Sequence, residues 1–431
     1  GAVDIGTIDP GFTTVNAGAN SGGFSALLAT GDDTVLTGSS GNDTITASTT
    51  DALATADKLA VNAGEGTDTL VILDTADINT AADAARYTGF EKLELVDSTN
   101  LANFGSITEI SFAGNSKTLS GLNAVQSAAI TVHTTTTGTF QASLATATAT
   151  NDVLTLNLTS ATATTNVDVA GAVFTGYETV NINATTGVAA TDSDVVFATA
   201  GDTSVINVTG TADVVTTLTS TKSTGVTVTS TTSGAYTATG NIAAGSSVTS
   251  GSGADSLTVS TTLGSTYNSG AGADTITGAL TSFVNTGVTD HVIDAGAGID
   301  TLAISTVGAS VVTDNHFTNI SNMEKITLAA TASSSITTGG AFNSAFANGV
   351  DITAAALANE KTFTYAGGLY GQDTTIALTT SSVADAAAED ITVTTGAGAD
   401  TVTITASSWL GAGGAGGSII VNTRAGDDTI T

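Results

Sequence analysis

Aliphatic residues alternate with threonine or asparagine along much of the chain. Clear examples are residues 153–158 (Val-Leu-Thr-Leu-Asn-Leu) and 225–229 (Gly-Val-Thr-Val-Thr). A period of two is typical of β-strands that bury one face and expose the other. Helical periodicity is rare, and we expect short helices only within 79–87, 348–359 and 382–388. The pattern therefore predicts an all-β protein.

A glycine-rich motif, Gly-x-Gly-x-Asp-(Thr/Ser)-aliphatic, recurs between these strand segments. Full copies carry Asp68, Asp255, Asp274, Asp300 and Asp400, and degenerate copies carry Asp33, Asp43 and Asp428. Residues 30–96 and 270–330 repeat the motif in the same order, followed in both by a glutamate and a strand. Such fixed-order repetition is typical of stacked β-architectures. We therefore expect β-roll or β-helix (solenoid-like) modules with strand-rich insertions.

The repeats divide the sequence into five expected regions. They are a motif-bearing β module at 1–100, a Thr/Val-rich strand region at 101–250, a second module at 251–330, a mixed β region with short helices at 331–395, and the start of a third module at 396–431. A chain of 431 residues is longer than one hydrophobic core usually serves, which favours several units. The last residues stop inside a motif copy, so we expect the sequence to be a piece of a longer protein.

The charge balance narrows the range of partners. The formal net charge is −31, from 39 acidic and only 8 basic residues, and 31 of the acids are aspartate. Aspartate is favoured in turns and as an oxygen ligand for hard cations. Nucleic-acid binding needs clustered Lys and Arg, so we expect no nucleic-acid partner. No apolar run is long enough to span a bilayer, so we expect no membrane insertion. The chain has no cysteine, which excludes disulfides and thiolate metal sites.

The chemistry of the motif suits calcium. Ca²⁺ takes about six to eight oxygen ligands, from carboxylates and backbone carbonyls together. Glycine lets a turn direct its carbonyl groups inward, and the aspartate adds carboxylate oxygens. Asp33 and Asp43 are ten residues apart, so their turns could stack as neighbouring rungs, whereas the other copies, 19–28 residues apart, need longer rungs or partners from elsewhere in the chain. The alternative interpretation is that the motif is an ordinary tight turn between strands.

The motif resembles the glycine-rich nonapeptide repeats of the RTX family of type-I-secreted bacterial proteins, whose repeats form calcium-filled parallel β-rolls. The long tandem array of an RTX toxin or protease is missing, but the Thr/Ala/Val-rich strands and their glutamate elements are similar to those of RTX-type surface-layer (S-layer) proteins. The resemblance implies Ca²⁺ as the bound ion. It also implies carboxylate ligands at Asp33, Asp43, Asp68, Asp255, Asp274, Asp300, Asp400 and Asp428, and carbonyl-presenting turn positions at Gly31, Gly41, Gly64, Gly66, Gly253, Gly272, Gly298, Gly398 and Gly426.

Three glutamates share a second short pattern. Glu91 follows Gly-Phe, Glu178 follows Gly-Tyr and Glu324 follows Asn-Met, and each precedes an alternating strand pattern. Two interpretations stay open for them: calcium ligands, or residues that begin a strand after a repeated turn.

The sequence shows no recognisable catalytic arrangement. The three histidines, His133, His291 and His316, lack the His-Glu-x-x-His spacing of metalloproteases. A Gly-x-Ser-x-Gly elbow and a cysteine nucleophile are also missing. We therefore expect that the protein is not an enzyme.

The expected function is that of an extracellular structural protein, at the bacterial cell surface or in a secreted matrix. We expect it to depend on calcium and to assemble with copies of itself into an S-layer lattice or a filament. A cell-surface polysaccharide is a further expected partner. The main alternative is an adhesin or extender segment of a large RTX surface protein. An ice-binding solenoid is a third hypothesis, but it needs regular Thr-x-Thr ranks, and the runs in this sequence are irregular.

Overall fold

The fold is known from a computed structural model of the full chain. The residues it describes are 1–28, 33–47, 57–74, 78–113, 117–133, 139–147, 150–159, 167–185, 193–199, 202–219, 225–284, 287, 290–329, 332–357, 361–380, 390–406 and 418–431.

The described chain is nearly all parallel β-structure, which confirms the all-β, solenoid-like prediction. About 48% of the described residues are in strands, which form a β-solenoid, and the α-helices among these residues are three short ones. Two compact units divide the chain, unit 1 at Gly1–Lys222 and unit 2 at Ser223–Thr431. The five expected sequence regions stay a prediction. No helix among the described residues combines the length and apolarity that crossing a membrane requires.

Unit 1 is built from strands that pair with the strand one turn later. Its elements are β1 Val3–Ile8, β2 Thr14–Asn16, β3 Phe24–Leu28, β4 Val35–Thr37, β5 Thr44–Ala47, β6 Ala60–Asn62, β7 Thr69–Ile72, α1 Ala81–Ala84, β8 Tyr87–Thr88, β9 Lys92–Leu95, β10 Thr99–Asn100, a 3₁₀ turn Leu101–Asn103, β11 Glu109–Phe112, β12 Thr118–Leu122, α2 Ala124–Ser127, β13 Ile130–Val132, β14 Gln141–Leu144, β15 Val153–Leu158, β16 Val169–Thr175, β17 Thr179–Ala184, β18 Ser193–Thr199, β19 Val205–Gly210 and β20 Val214–Thr219. The strand orders are β1-β3-β5-β7-β9-β11-β13-β15-β17-β19, β2-β4-β6-β8 and β10-β12-β14-β16-β18-β20.

Unit 2 is built on the same plan, with each strand paired to the strand one turn later. Its elements are β21 Thr227–Ser230, β22 Tyr236–Asn241, β23 Ser247–Thr249, β24 Ser256–Thr258, β25 Thr266–Asn268, β26 Ala271–Gly272, β27 Thr275–Gly278, a 3₁₀ turn Leu280–Phe283, β28 Val292–Asp294, β29 Ala297–Gly298, β30 Thr301–Ile304, β31 Ser310–Val312, a 3₁₀ turn Asp314–Phe317, β32 Ile320–Ser321, β33 Lys325–Leu328, β34 Ser334–Thr337, α3 Gly340–Ala345, β35 Val350–Ala354, β36 Thr362–Ala366, β37 Thr374–Thr380, β38 Asp390–Thr394, β39 Thr401–Ala406, β40 Ile419–Asn422 and β41 Thr429–Ile430. The strand orders are β21-β23-β25-β28-β32, β22-β24-β27-β30-β33-β35-β37-β39-β41, β26-β29 and β31-β34-β36-β38-β40.

The alternating pattern sets which face of each strand is buried. Leu154 and Leu156 of β15 point into the core, opposite Val180 and Ile182 of β17. Burial of such a side chain stabilises the fold by roughly 1.5–3 kcal/mol. The exposed positions carry polar side chains that bond to each other along the sheet, as Asn181 does with asparagine and threonine partners in neighbouring turns. The period of two therefore positions both the core and the outer faces.

Of the three predicted helical segments, one contains a helix, one contains a strand instead and one lies outside the described residues. The stretch 79–87 contains α1, which is only four residues long. The prediction of a helix within 348–359 is wrong, because β35 occupies Val350–Ala354 and buries Val350 and Ile352 in the alternation of a strand. Residues 382–388 lie outside the described residues. Pairing of β35 with β33 and β37 outweighs the weak helical propensity of an alanine-rich segment.

Candidate metal centre

Each motif turn leads directly into a strand of a parallel ladder. In unit 2, Ser256 pairs with Thr275, and Thr275 pairs with Thr301. The aspartate before each of these residues is therefore stacked on the aspartate of the next turn. Consecutive aspartates are 19 and 26 residues apart, which is one full turn of the solenoid. Of the two possibilities that the spacing left open, longer rungs and partners from elsewhere, the structure has the longer rungs.

Three of these residues, Asp255, Asp274 and Asp300, form what we call the second column. The backbone N–H of Asp255 donates to Oδ1 of Asp274 at 2.8 Å, and the N–H of Asp274 donates to Oδ1 of Asp300 at 2.8 Å. The series ends at Glu324, whose Oε2 accepts the N–H of Asp300 at 2.9 Å. One carboxylate oxygen of each residue thus fixes the backbone of the preceding turn.

The same arrangement occurs twice more. In the first column, the N–H of Asp43 donates to Oδ1 of Asp68 at 2.7 Å, and the N–H of Asp68 donates to Oε2 of Glu91 at 2.9 Å. In the third column, the N–H of Asp400 donates to Oδ1 of Asp428 at 3.1 Å. The structure therefore brings seven of the eight predicted aspartates into three columns.

The second carboxylate oxygen is what makes these columns a candidate metal centre. Oδ2 is buried and accepts no hydrogen bond of normal geometry in Asp68, Asp255, Asp274, Asp300 and Asp400. The hydroxyl groups of Ser250 and Ser269 nevertheless lie near enough to the carboxylates of Asp255 and Asp274 to lower their pKa. The five aspartates are at most 2% exposed. An unpaired oxygen of a buried carboxylate is costly unless a donor or a cation meets it. Five repeats of one unpaired atom at one motif position therefore fit a bound cation.

Glycine provides the room for the turns to stack. Gly272 has φ = +145°, and a β-carbon there would overlap the carbonyl oxygen of Gly253 in the preceding turn. The same β-carbon would lie 3.2 Å from Oδ1 of Asp274. Gly298 repeats this relation one turn later, against the carbonyl oxygen of Gly272. The glycines thus allow consecutive turns to stack closely, with backbone carbonyl groups of the preceding turn beside the motif position.

Most of the other predicted glycines share this close approach to the preceding turn. A β-carbon would meet a carbonyl group of that turn at Gly64, Gly66, Gly253, Gly398 and Gly426. Gly41 differs, since it packs on the backbone of Gly22 and Gly23 and presents its own carbonyl to Gly66. Gly31 lies outside the described residues.

Asp33 and Asp43 do not stack on each other, so that prediction is wrong. Asp33 is exposed, precedes β4, and accepts the N–H of Lys58 at 3.1 Å. Asp43 precedes β5 in a different sheet. Ten residues carry the chain from one sheet of the solenoid to the next and not around a full turn. Asp43 also differs from the other column members, because both of its oxygens accept hydrogen bonds, from Phe24 and Ser39.

Burial controls the electrostatics of the columns. The pKa of Asp68 is raised to about 6, mainly by burial and to a smaller extent by the nearby carboxylates of Asp43 and Glu91, while the hydrogen bond from the backbone of Asp43 lowers it. Burial likewise raises the pKa of Asp274 to about 6. The pKa values of Asp255 and Asp300 are also raised, mainly by burial. Without a cation, Asp68 and Asp274 would therefore ionise at about pH 6, above the usual range of an aspartate.

We expect the metal-free protein to be more stable at about pH 5 than at about pH 7.5. The folded pKa of Asp68 and Asp274 is about 6, whereas the unfolded value is about 4. Stability from their protonation is present below about pH 4 and is lost as the pH rises through about 6. Thermal unfolding of calcium-depleted protein at both pH values measures this. The double variant Asp68→Asn/Asp274→Asn is the control, and a wild type no more pH-dependent than this variant would contradict the prediction.

The atoms in the columns that could bind a metal ion are almost all oxygen atoms. Each turn offers one carboxylate and its backbone carbonyl groups. Among the described residues, no group of three or more His, Cys, Asp or Glu side chains is placed to hold a metal ion by itself. Any ion in a column would therefore depend on carbonyl oxygens as well as carboxylates. Calcium accepts such mixed oxygen ligands readily, whereas zinc prefers nitrogen and sulfur.

Sequence reasoning missed the serines that line the motif turns. The hydroxyl of Ser39 donates to Oδ1 of Asp43 at 2.5 Å. Ser250 and Ser269, each directly before a motif glycine, donate to the carbonyl oxygen of the next turn at 2.9 and 2.8 Å. The position of Ser250 and Ser269 before the first motif glycine was the available signal, whereas Ser39 stands where the full motif has that glycine.

The histidines bind local backbone groups. His291 is 5% exposed, with Nδ1 3.1 Å from the N–H of Ser265 and Nε2 3.0 Å from the carbonyl of Ser260. Burial lowers the pKa of His291, against the hydrogen bonds to Ser260 and Ser265 that raise it. His133 and His316 also contact backbone atoms close by. Each of these contacts joins a histidine ring to the backbone.

No family model, curated protein or solved structure matches this chain. The interpretation of the columns therefore depends on their own geometry and chemistry.

Proposed function

We propose that this protein is a calcium-dependent structural protein of the bacterial cell surface or secreted matrix, which assembles with copies of itself. The observation that carries the proposal is the unpaired, buried Oδ2 atom repeated at five motif aspartates. A cation at each column would balance this charge, and RTX-type S-layer proteins remain the proposed relatives. The extracellular location belongs to the same proposal.

Calcium is the cation that best fits the residues present. Asp68, Asp255, Asp274, Asp300 and Asp400 would hold it through Oδ2, together with carbonyl oxygens of the glycine turns. When bound, calcium would neutralise these carboxylates and join consecutive turns of the solenoid. Each divalent ion would also offset part of the net charge of −31, which otherwise opposes compaction.

The outer faces support assembly more than catalysis. In unit 1, Asn207 donates to Asn181 at 2.9 Å and Asn183 donates to Asn157 at 3.2 Å, in rows that run along the sheet. Such rows hold a sheet face rigid and regular. A rigid, repeating surface suits lateral contacts between copies of one chain in a lattice or filament.

A second candidate function is an adhesin or extender segment that binds a cell-surface polysaccharide. An outward groove of about 250 Å³ in unit 1 favours it, with Lys92, Glu94, Glu109 and His133 in its lining. Lys92 and Glu109 form an ion pair at 2.8 Å there. Paired charges and a histidine could hydrogen-bond sugar hydroxyl groups.

Light scattering and negative-stain electron microscopy test the two candidates. The purified chain is examined in EGTA and again after calcium is added back to about millimolar concentration, the range of extracellular calcium modules. Ordered sheets or fibres that form only with calcium support the structural function. A chain that becomes compact but stays monomeric, and binds polysaccharide, favours the adhesin. If calcium changes neither compactness nor assembly, the metal assignment is wrong.

A further inference from the structure

Three glutamates occupy one structural position in three different turns. Each follows a residue with positive φ and a buried apolar side chain. These pairs are Gly89 and Phe90 before Glu91, Gly176 and Tyr177 before Glu178, and Asn322 and Met323 before Glu324. The three turns therefore share a positive φ two residues before the glutamate and a buried side chain directly before it.

Their hydrogen bonds are also the same. Oε2 of Glu91, Glu178 and Glu324 accepts the backbone N–H of Asp68, Asp152 and Asp300, respectively, at 2.9 Å in every case. In return, the carbonyl oxygen of the aspartate accepts the N–H of the glutamate and of the residue after it, at 2.9–3.2 Å. A glutamate thus takes the place that the next aspartate occupies inside a column, as Asp274 does for Asp255 at 2.8 Å.

Each glutamate also ends the series of carboxylate bonds. Inside a column, the N–H of an aspartate donates to a carboxylate of the following turn. The N–H of Glu324 donates back to the carbonyl of Asp300, while the carbonyl of Glu324 accepts the N–H of Asp351. No carboxylate bond is passed on from this position. The second column therefore stops at Glu324, and Glu91 ends the first column in the same way.

The turn of Asp152 and Glu178 can be compared with the turns that contain Glu91 and Glu324. It has the same closing hydrogen bond, but no Gly-x-Gly precedes Asp152. Asp68 and Asp300 each have a buried Oδ2 without a partner, and Asp152 does not. The closing bond therefore forms with or without a motif turn. What distinguishes Glu91 and Glu324 is the aspartate that they hold.

We propose that Glu91 and Glu324 are positioning residues for the last cation site of their columns. Each fixes the backbone of the last aspartate and supplies the negative charge that comes from the next aspartate inside a column. The glutamate acts through Asp68 or Asp300 and is not itself a calcium ligand. This inference rests on the proposed binding of calcium by the columns.

Calcium titration of the full chain against a chromophoric chelator, with ion counting by native mass spectrometry, tests this role. Glu324→Gln keeps an oxygen that accepts the N–H of Asp300 but removes the charge. We expect an unchanged number of ions at saturation and about tenfold weaker binding of one ion. Glu324→Ala also leaves a buried N–H without a partner, and we expect about hundredfold weaker binding of that ion. We expect Glu91→Gln and Glu91→Ala to weaken the binding of one ion of the first column by the same factors.

Glu178→Gln and Glu178→Ala are the matched controls. We expect Glu178→Ala to lower the melting temperature much as Glu324→Ala does, with calcium affinity unchanged. Loss of one ion at saturation in Glu324→Gln would make the glutamate a ligand and overturn the inference. Unchanged affinity in both Glu324 variants would overturn it as well, because the role would then be structural alone. A wild type that binds no calcium would instead refute the proposed function.

Discussion

Calcium removal at neutral pH is expected to lower the melting temperature of the protein by about 15 °C or more. An ion at a hundredfold excess over its Kd stabilises the folded state by about 2.7 kcal/mol. Three unpaired oxygens lie in the second column and another in the third, so several ions would act on unit 2 together. In a unit of about 200 residues, 1 kcal/mol corresponds to about 2–4 °C. Differential scanning calorimetry in calcium and in EGTA measures the change.

Asp274→Asn separates ion binding from general effects of mutation. The amide oxygen can still accept the N–H of Asp255, but the buried charge is lost. We expect the variant to be more stable than the wild type in EGTA and less stable in calcium, by about 2 kcal/mol in each direction. Magnesium should not replace calcium, because it demands a smaller and more regular oxygen cage. Equal melting temperatures of the wild type in calcium and EGTA would show that the turns need no ion.

Gly272→Ala is expected to destabilise the protein by about 4 kcal/mol. The residue has φ = +145°, which only glycine adopts without strain, and a β-carbon would overlap the carbonyl of Gly253. The stacked turns cannot separate without breaking the hydrogen bond from Asp255 to Asp274. Calcium affinity should fall too, because the same displacement moves the carbonyl groups of the column. Thermal unfolding and calcium titration measure the two effects.

The matched control for this substitution is Gly308→Ala. Gly308 is exposed, and a β-carbon there would have no neighbour within 4 Å. We expect a change within about 0.5 kcal/mol, as for most surface substitutions. If Gly272→Ala melted at the same temperature as Gly308→Ala, the stacking of the turns would not depend on glycine.

The motif residues could be predicted because their chemistry is local. A motif turn is specified by a few consecutive residues, such as Gly272 and the aspartate two residues after it. The partner of each turn is not local, since Asp274 bonds to residues 19 before it and 26 after it. The spacing varies from turn to turn, so the sequence offered no fixed period. For this reason the stacking of Asp33 on Asp43 was predicted wrongly.

For the glutamates, too, the local pattern could be seen in the sequence but the partner residue could not. The pattern around Glu91 and Glu324 was visible, but both a ligand role and the favoured strand-entry role were compatible with it. Only the positions of Asp68 and Asp300, one turn away, reveal that the glutamates close the columns. The segment 348–359 illustrates the limit for helices, because pairing of β35 with two neighbouring strands outweighs local propensity.

The sequence by itself determined the all-β class, the alternation of core and surface positions, and the glycine turns with their aspartates. These depend on φ preferences, side-chain period and local oxygen chemistry, which act over a few residues. Three features could be seen only in the tertiary structure: which turns stack, which carboxylate oxygens are left unpaired, and where each column ends. These depend on parallel pairing between strands far apart in the chain, where register is set by packing of the whole turn.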